Sequence, residues 1–179
     1  MFQFSDTGLA QAKIITLPSF GDVRGSFTKT FQDTVWKEQG IDFVLKESYF
    51  SVSKKNVIRG MHFQLPPHHH AKIVFCPKGA ILDVIIDLRK KSPTYGHYFT
   101  AELSEQNHKA YYIPEGFAHG FKSLTEDAIT YYLVSSEYSK EQDTGIRYDS
   151  FGYDWQVERP ILSERDLSFK MLPEWVSPF

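Results

Sequence analysis

Ile113-Pro114-Glu115-Gly116-Phe117-Ala118-His119-Gly120-Phe121 decides how the chain is read. The short apolar run Ala110–Ile113 precedes it, and Gly120–Ser123 resumes an apolar run after it. Proline fixes φ and glycine tolerates positive φ, so Pro114 and Gly116 mark a tight turn between two strands. That turn delivers His119 into the second strand. An imidazole entering a strand directly from a turn is a candidate functional group, set in β structure.

Working outward, short apolar segments broken by Gly, Pro, Asn and Asp repeat along the chain, which is the pattern of an all-β domain. Upstream, Ala10–Leu17 reads as a strand, followed by a turn at Phe20-Gly21-Asp22 and a strand over Gly25–Phe31. Thr34–Gln39 reads as a short helix closed by Gly40. Phe43–Ser53, Val57–Phe63, Ala71–Pro77 and Ala80–Leu88 read as strands, the last two joined through a hairpin turn at Lys78-Gly79. Tyr98–Leu103 and Ala128–Tyr138 complete the set, and the pattern is irregular from Glu141 onward, with Trp155 and Trp175 as packing anchors. Strands at this spacing suit a double-sheet jelly-roll barrel with a few short peripheral helices, built as one domain over residues 1–179.

The bulk numbers narrow the function classes. A formal net charge of -2 gives no general attraction to nucleic acid. No apolar run approaches the roughly 20 residues of a membrane span. Met1–Ala12 lacks a basic start followed by an apolar stretch, so no secretory signal is expected. The one cysteine, Cys76, lies in an apolar run and reads as a small buried residue, which suits a reducing, cytoplasmic setting.

Three further segments carry unusual polar groups. In Arg59-Gly60-Met61-His62-Phe63-Gln64, strand alternation puts Gly60, His62 and Gln64 on one face and Arg59 and Met61 on the other. His62 is thereby a candidate for the barrel interior, although a lone histidine is more often structural. Tyr131 and Tyr132 must face opposite sides of their strand, and core packing is the ordinary reading of either. In Leu162-Ser163-Glu164-Arg165-Asp166, the ordinary reading is a helix start capped by Ser163, with Asp166 at the acidic position of a capping box.

The stretch around His119 fits the P-x-G-x-x-H pattern of cupin barrels. Taken in order with Gly21–Phe27, Asn56–Gln64, Ala71–Val74, Asp83–Arg89, Ser92–Gly96 and Leu162–Asp166, it resembles the dTDP-4-dehydrorhamnose 3,5-epimerase family over roughly residues 10–168. The resemblance implies a cupin jelly roll without metal or cofactor that acts on a nucleotide-linked 4-keto-6-deoxy sugar. It also implies a homodimer that exchanges N-terminal strand material.

By the same resemblance His62 is the base, paired with Asp166, and Tyr132 is the general acid. Lys72 and His119 fall near the developing oxyanion. Arg24 and Arg59 fit phosphate contacts, with Arg24 reaching the partner's site. Tyr138 aligns with an aromatic that stacks on the nucleotide base, and Asp143 and Arg165 with further nucleotide contacts. The chemistry is coherent: a C4 ketone acidifies the hydrogens on C3 and C5, so a base on one side of the ring and an acid on the other invert a centre.

Lys29 stands where the family usually places a glutamate. Glu47, Ser48 and Tyr49 stand where a Q-x-N segment usually touches substrate. These changes leave dTDP, CDP and GDP open as the handle, and C3, C5 or both as the inverted centre. The rival reading is a metal-dependent cupin using His68-His69-His70 with His119. It lacks the glutamate that should follow an H-x-H pair, and Lys72 would repel a cation. The histidine run, after Pro66-Pro67, is expected in an exposed loop. A sugar-binding cupin without turnover is the other alternative.

Overall fold

A computed structural model describes Met1–Phe179. In chain order the strands are β1 Gln3–Asp6, β2 Lys13–Thr16, β3 Ser19–Asp22, β4 Gly25–Thr28, β5 Glu47–Ser53, β6 Ile58–Gln64, β7 Lys72–Lys78, β8 Ala80–Asp87, β9 Tyr98–Ser104, β10 Lys109–Ile113, β11 Phe117–Ser123, β12 Ala128–Val134 and β13 Asp143–Gly145. Helix α1 spans Asp33–Glu38, helix α2 spans Glu164–Ser168, and a 3-10 turn covers Leu172–Glu174. Two sheets form, ordered β1-β2-β10-β7-β12-β5 and β13-β6-β11-β8-β9, and β3–β4 stand apart as a hairpin. This is the all-β jelly roll expected from the strand spacing.

Period-two patterning builds three apolar layers. The space between the sheets is filled by Val74, Tyr111, Ile113 and Val134 from the first sheet and Ile81, Ile85, Phe117 and Phe121 from the second. The outer face of the first sheet, including Ile15, Ile73 and Phe75, packs under Trp36 of α1 with Ile41 and Phe43. The outer face of the second, including Met61, Phe63, Val84 and Ile86, is covered by Ile146, Trp155 and the C-terminal segment. Strand β8 is therefore buried on both faces and reads as a nearly continuous apolar run. Its inward residues are Ile81, Asp83 and Ile85, so Asp83 is the carboxylate that alternation carries into the interior.

Helix α1 closes as expected. Gly40, at φ +75, lets its N–H reach Lys37 O while Ile41 N–H reaches Trp36 O, the paired bonds of a glycine-terminated helix. Four local expectations are corrected. Phe20-Gly21-Asp22 is strand rather than turn, because it pairs with β4 through Phe20↔Phe27 and Asp22↔Gly25, leaving Val23-Arg24 as the turn. Lys78-Gly79 is not a hairpin: β7 pairs with β10 and β12 while β8 pairs with β9 and β11, so the chain crosses between sheets there. Strand β1 was not anticipated. Nor was β13, which pairs with β6 within the segment expected to be irregular.

The last strand-level difference shapes the site. Between Arg59↔Phe121 and His62↔His119, strand β6 sets two residues, Gly60 and Met61, against the single Gly120 of β11, which is a bulge. The extra residue breaks the alternation, so Arg59 and His62 line the same cavity instead of opposite faces. Gly60 makes the bulge possible. It holds φ +133, and a Cβ there would lie 2.5 Å from the Cα of Gly120. No helix is long and apolar enough to cross a membrane.

Candidate active site

A cavity of about 370 Å³ opens between the two sheets, within the usual range for small-molecule sites. Strands β5, β7 and β12 supply Tyr49, Lys72 and Tyr132 from one wall. Strands β6 and β11 supply Arg59, His62 and His119 from the other. Base and acid candidates thus stand on opposing sheets.

His62 is fixed from behind. Its Nε2 lies 2.8 Å from Asp166 Oδ1, while Asp166 Oδ2 accepts the Gly60 N–H at 3.1 Å. The capping expectation for Ser163 holds, since its Oγ accepts the Asp166 N–H at 3.1 Å. The carboxylate of Asp166 is not spent on the cap and turns to the histidine instead. Burial pushes the Asp166 carboxyl up, but the bond and charge of His62, with the Gly60 and Ser163 hydrogen bonds, hold it below the usual carboxylate value. With Asp166 ionised, the ring proton of His62 sits on Nε2 and Nδ1 carries the lone pair.

A second imidazole–carboxylate pair lies beside the first. His119 Nε2 is 2.8 Å from Asp83 Oδ2, and both side chains are almost wholly buried. Burial pushes the His119 imidazolium down and the Asp83 carboxyl up, so both resist charging. Lys72 donates to the backbone oxygen of His62 at 3.2 Å, and burial lowers its ammonium to about 8 against the pull of Asp143 and Asp83. Tyr132 meets His119 edge-on, with ring centroids 5.9 Å apart. Burial, with Tyr49 and Asp83 nearby, raises its hydroxyl well above the usual tyrosine value.

The cavity mouth carries the remaining groups. Arg59 is steadied by Ser53 Oγ at 3.1 Å and Val52 O at 3.3 Å. Arg165 pairs with Asp143 at 2.7 Å and lies over the Phe169 ring. Tyr138, 61% exposed, sits on the loop after β12. That loop is tied to both sheets: Glu47 Oε2 of β5 accepts the Tyr138 N–H at 2.7 Å, and Gln64 Oε1 of β6 accepts the Ser139 N–H at 2.6 Å. Glu47 lines the cavity and at the same time clamps this loop.

Ten of the thirteen residues singled out from sequence line the cavity. Asp166 supports it from behind. Arg24 and Lys29 are exposed and lie outside it, with Arg24 bound to Asp22 on the β3–β4 hairpin at 2.5 Å. Sequence reasoning missed Asp83, whose only signal was its place in the inward set of β8. It also missed the loop-clamping role of Gln64, and placed His70 in an exposed loop. Only His68 of that run is exposed; His70 faces the cavity, 3.0 Å from the Gln64 amide nitrogen, and His69 pairs with Glu115 at 3.2 Å.

The description dTDP-4-dehydrorhamnose 3,5-epimerase belongs to the family whose sequence model matches residues 6–174. A protein of that name from Sinorhizobium fredii is 38% identical over 175 residues, covering 96% of this chain and 90% of its own. The crystal structure of the Bacillus anthracis enzyme of that name, with TDP and PPi bound, superposes with a TM-score of 0.93 at 35% identity, covering 96% of this chain and all of that one. The dTDP-6-deoxy-D-glucose-3,5-epimerase from Legionella pneumophila, in complex with dTDP-4-keto-L-rhamnose, gives 0.92 at 34% identity, covering 97% and 94%. The chain belongs to the dTDP-4-dehydrorhamnose 3,5-epimerase family.

Proposed function

We propose that this epimerase inverts C3, C5 or both in a dTDP-linked 4-keto-6-deoxy sugar, using His62 and Tyr132 as its proton-transfer pair. The observation that carries the reading is their placement on facing sheets, with Asp166 behind the imidazole. His62 Nδ1 takes the proton from the carbon beside the ketone, and the C–H electrons pass into an enolate. Asp166 stabilises the imidazolium that results, as buried carboxylates do in other dyads. Tyr132 then gives its phenolic proton to the opposite face of the carbon; the tyrosinate recovers a proton from solvent and the His62 imidazolium releases one to it.

The enolate oxygen needs donors placed in advance, where low dielectric makes them count. Lys72 and His119 supply them from the two walls. Arg59 and Arg165 receive the diphosphate, since guanidinium forks match phosphoryl oxygens. Tyr138, Asp143 and Glu47 border the nucleotide and sugar. The dTDP handle is favoured by the names and bound ligands of the relatives, and CDP and GDP sugars are the comparators.

The chain acts as a homodimer in which the β3–β4 hairpin enters the partner's site. Arg24 and Lys29 lie outside their own cavity, and the hairpin exposes Phe20, Val23 and Phe27 at 60% or more. Incubation in D2O with each nucleotide sugar, followed by NMR, tests the whole reading. Deuterium at C3 or C5 is the expected result. No exchange with any of the three, from folded protein, would overturn it.

A further inference from the structure

Tyr49 and Tyr132 stand directly opposite each other in the β5–β12 ladder. Their rings stack with centroids 4.8 Å apart and planes 24° from parallel. His119, itself anchored by Asp83, meets the Tyr132 ring edge-on. The acid proposed above is therefore held between a fixed imidazole and the face of a second tyrosine. Tyr49 belongs to an edge strand and is 41% exposed, so its ring is not needed to fill the core. Its hydroxyl, pushed up to about 12 by burial and by Glu47 and Asp143, is neutral at pH 7.

We infer that Tyr49 is a positioning residue, whose ring holds Tyr132 in the orientation from which it delivers its proton. The inference rests on the role of Tyr132 in the proposed function. An aromatic pair gains from ring contact beyond simple burial, and a misplaced reacting group loses rate steeply. The effect must therefore appear in kcat, require a ring rather than a hydroxyl, and vanish when Tyr132 has no proton to give.

The test measures kcat and KM by solvent deuterium incorporation for Tyr49→Ala and Tyr49→Phe, alone and combined with Tyr132→Phe. Tyr49→Ala is expected to lower kcat roughly tenfold with KM within about twofold. Tyr49→Phe restores the rate to within about threefold, and Tyr49→Ala adds no further loss in the Tyr132→Phe background. A raised KM with kcat retained would make Tyr49 a ligand contact, and additive losses would mean that it acts elsewhere; either overturns the inference. So does a Phe variant as slow as the Ala variant. An inactive wild type would sink the proposed function instead. In that case 13C-tyrosine NMR decides: the Tyr132 ring signals must shift and average in Tyr49→Ala, and unchanged signals refute the positioning role without any substrate.

Discussion

His62 and His119 are direct partners across strands β6 and β11, yet each is held by a carboxylate of its own, Asp166 and Asp83. Both imidazoles line the cavity, His62 at 29% exposure and His119, set deeper, at 3%. In the proposed mechanism the exposed one is the base and the deeper one a donor to the enolate.

Removing either member of the proposed proton-transfer pair should stop exchange without unfolding the protein. His62→Ala and Tyr132→Phe are each expected to lower kcat by about 10²–10⁴. Deuterium incorporation reads the loss, and thermal melting shows that the fold persists. Near-normal rates in both would remove the mechanism.

Asp166 links activity to acid stability. Its carboxyl lies below the ordinary value of 3.8 when folded, so the stability it contributes is complete above that pH and is lost as pH falls through the lower folded value. Asp87, held down against burial by Arg89, Ser92 and Thr94, titrates in the same direction. Asp166→Asn should therefore slow exchange at neutral pH and flatten, without abolishing, the drop in urea midpoint between about pH 5 and 2. An unchanged pH dependence would show that the His62 bond does not stabilise the carboxylate.

Lys72 should trade stability for function. Burial brings its ammonium from 10.5 to about 8, so the folded state resists a charge that the unfolded chain carries freely. Stability should rise as pH climbs from about 8 to about 10.5, because the unfolded chain binds more protons there. Lys72→Met is expected to stabilise the protein by about 1–3 kcal/mol at pH 7 while sharply reducing kcat. If the cationic form is the enolate partner, the wild-type rate also declines above pH 8. Rate profiles and denaturant midpoints of the two proteins check both halves.

Gly60 and Gly120 should tolerate no side chain. A Cβ at Gly120 would sit 2.7 Å from Met61 Sδ and 2.8 Å from Arg59 O, and Gly60 adds a positive φ. Gly60→Ala is expected to cost more than about 3 kcal/mol, measured by chemical denaturation. A small cost would mean that the bulge relaxes, and the position of Arg59 should then change with it.

Much of this was legible in the residues. Alternation and turn residues found most of the strands, the capping pattern found the cap at Ser163, and the ordered motifs pointed to Tyr132, His62, Asp166 and Lys72, which the structure gathers in or behind one cavity. What escaped was set by distant pairing. Strict alternation separates Arg59 from His62, and only the contact between Gly60 and Gly120 brings them to one cavity. Lys78-Gly79 has hairpin chemistry, but both flanking strands had better partners in different sheets. Asp83 hides in an apolar run because its reason for being there, His119, lies 36 residues away.

The loop that carries Tyr138 behaves as a calliper. Two successive amides of one short segment are gripped by side chains from opposite walls, Glu47 on one and Gln64 on the other. The gap between the walls is thereby gauged by the chain before any ligand arrives. Spreading the walls at this point requires breaking both grips at once. The amide hydrogens of Tyr138 and Ser139 should accordingly exchange with solvent slowly and together, as one event.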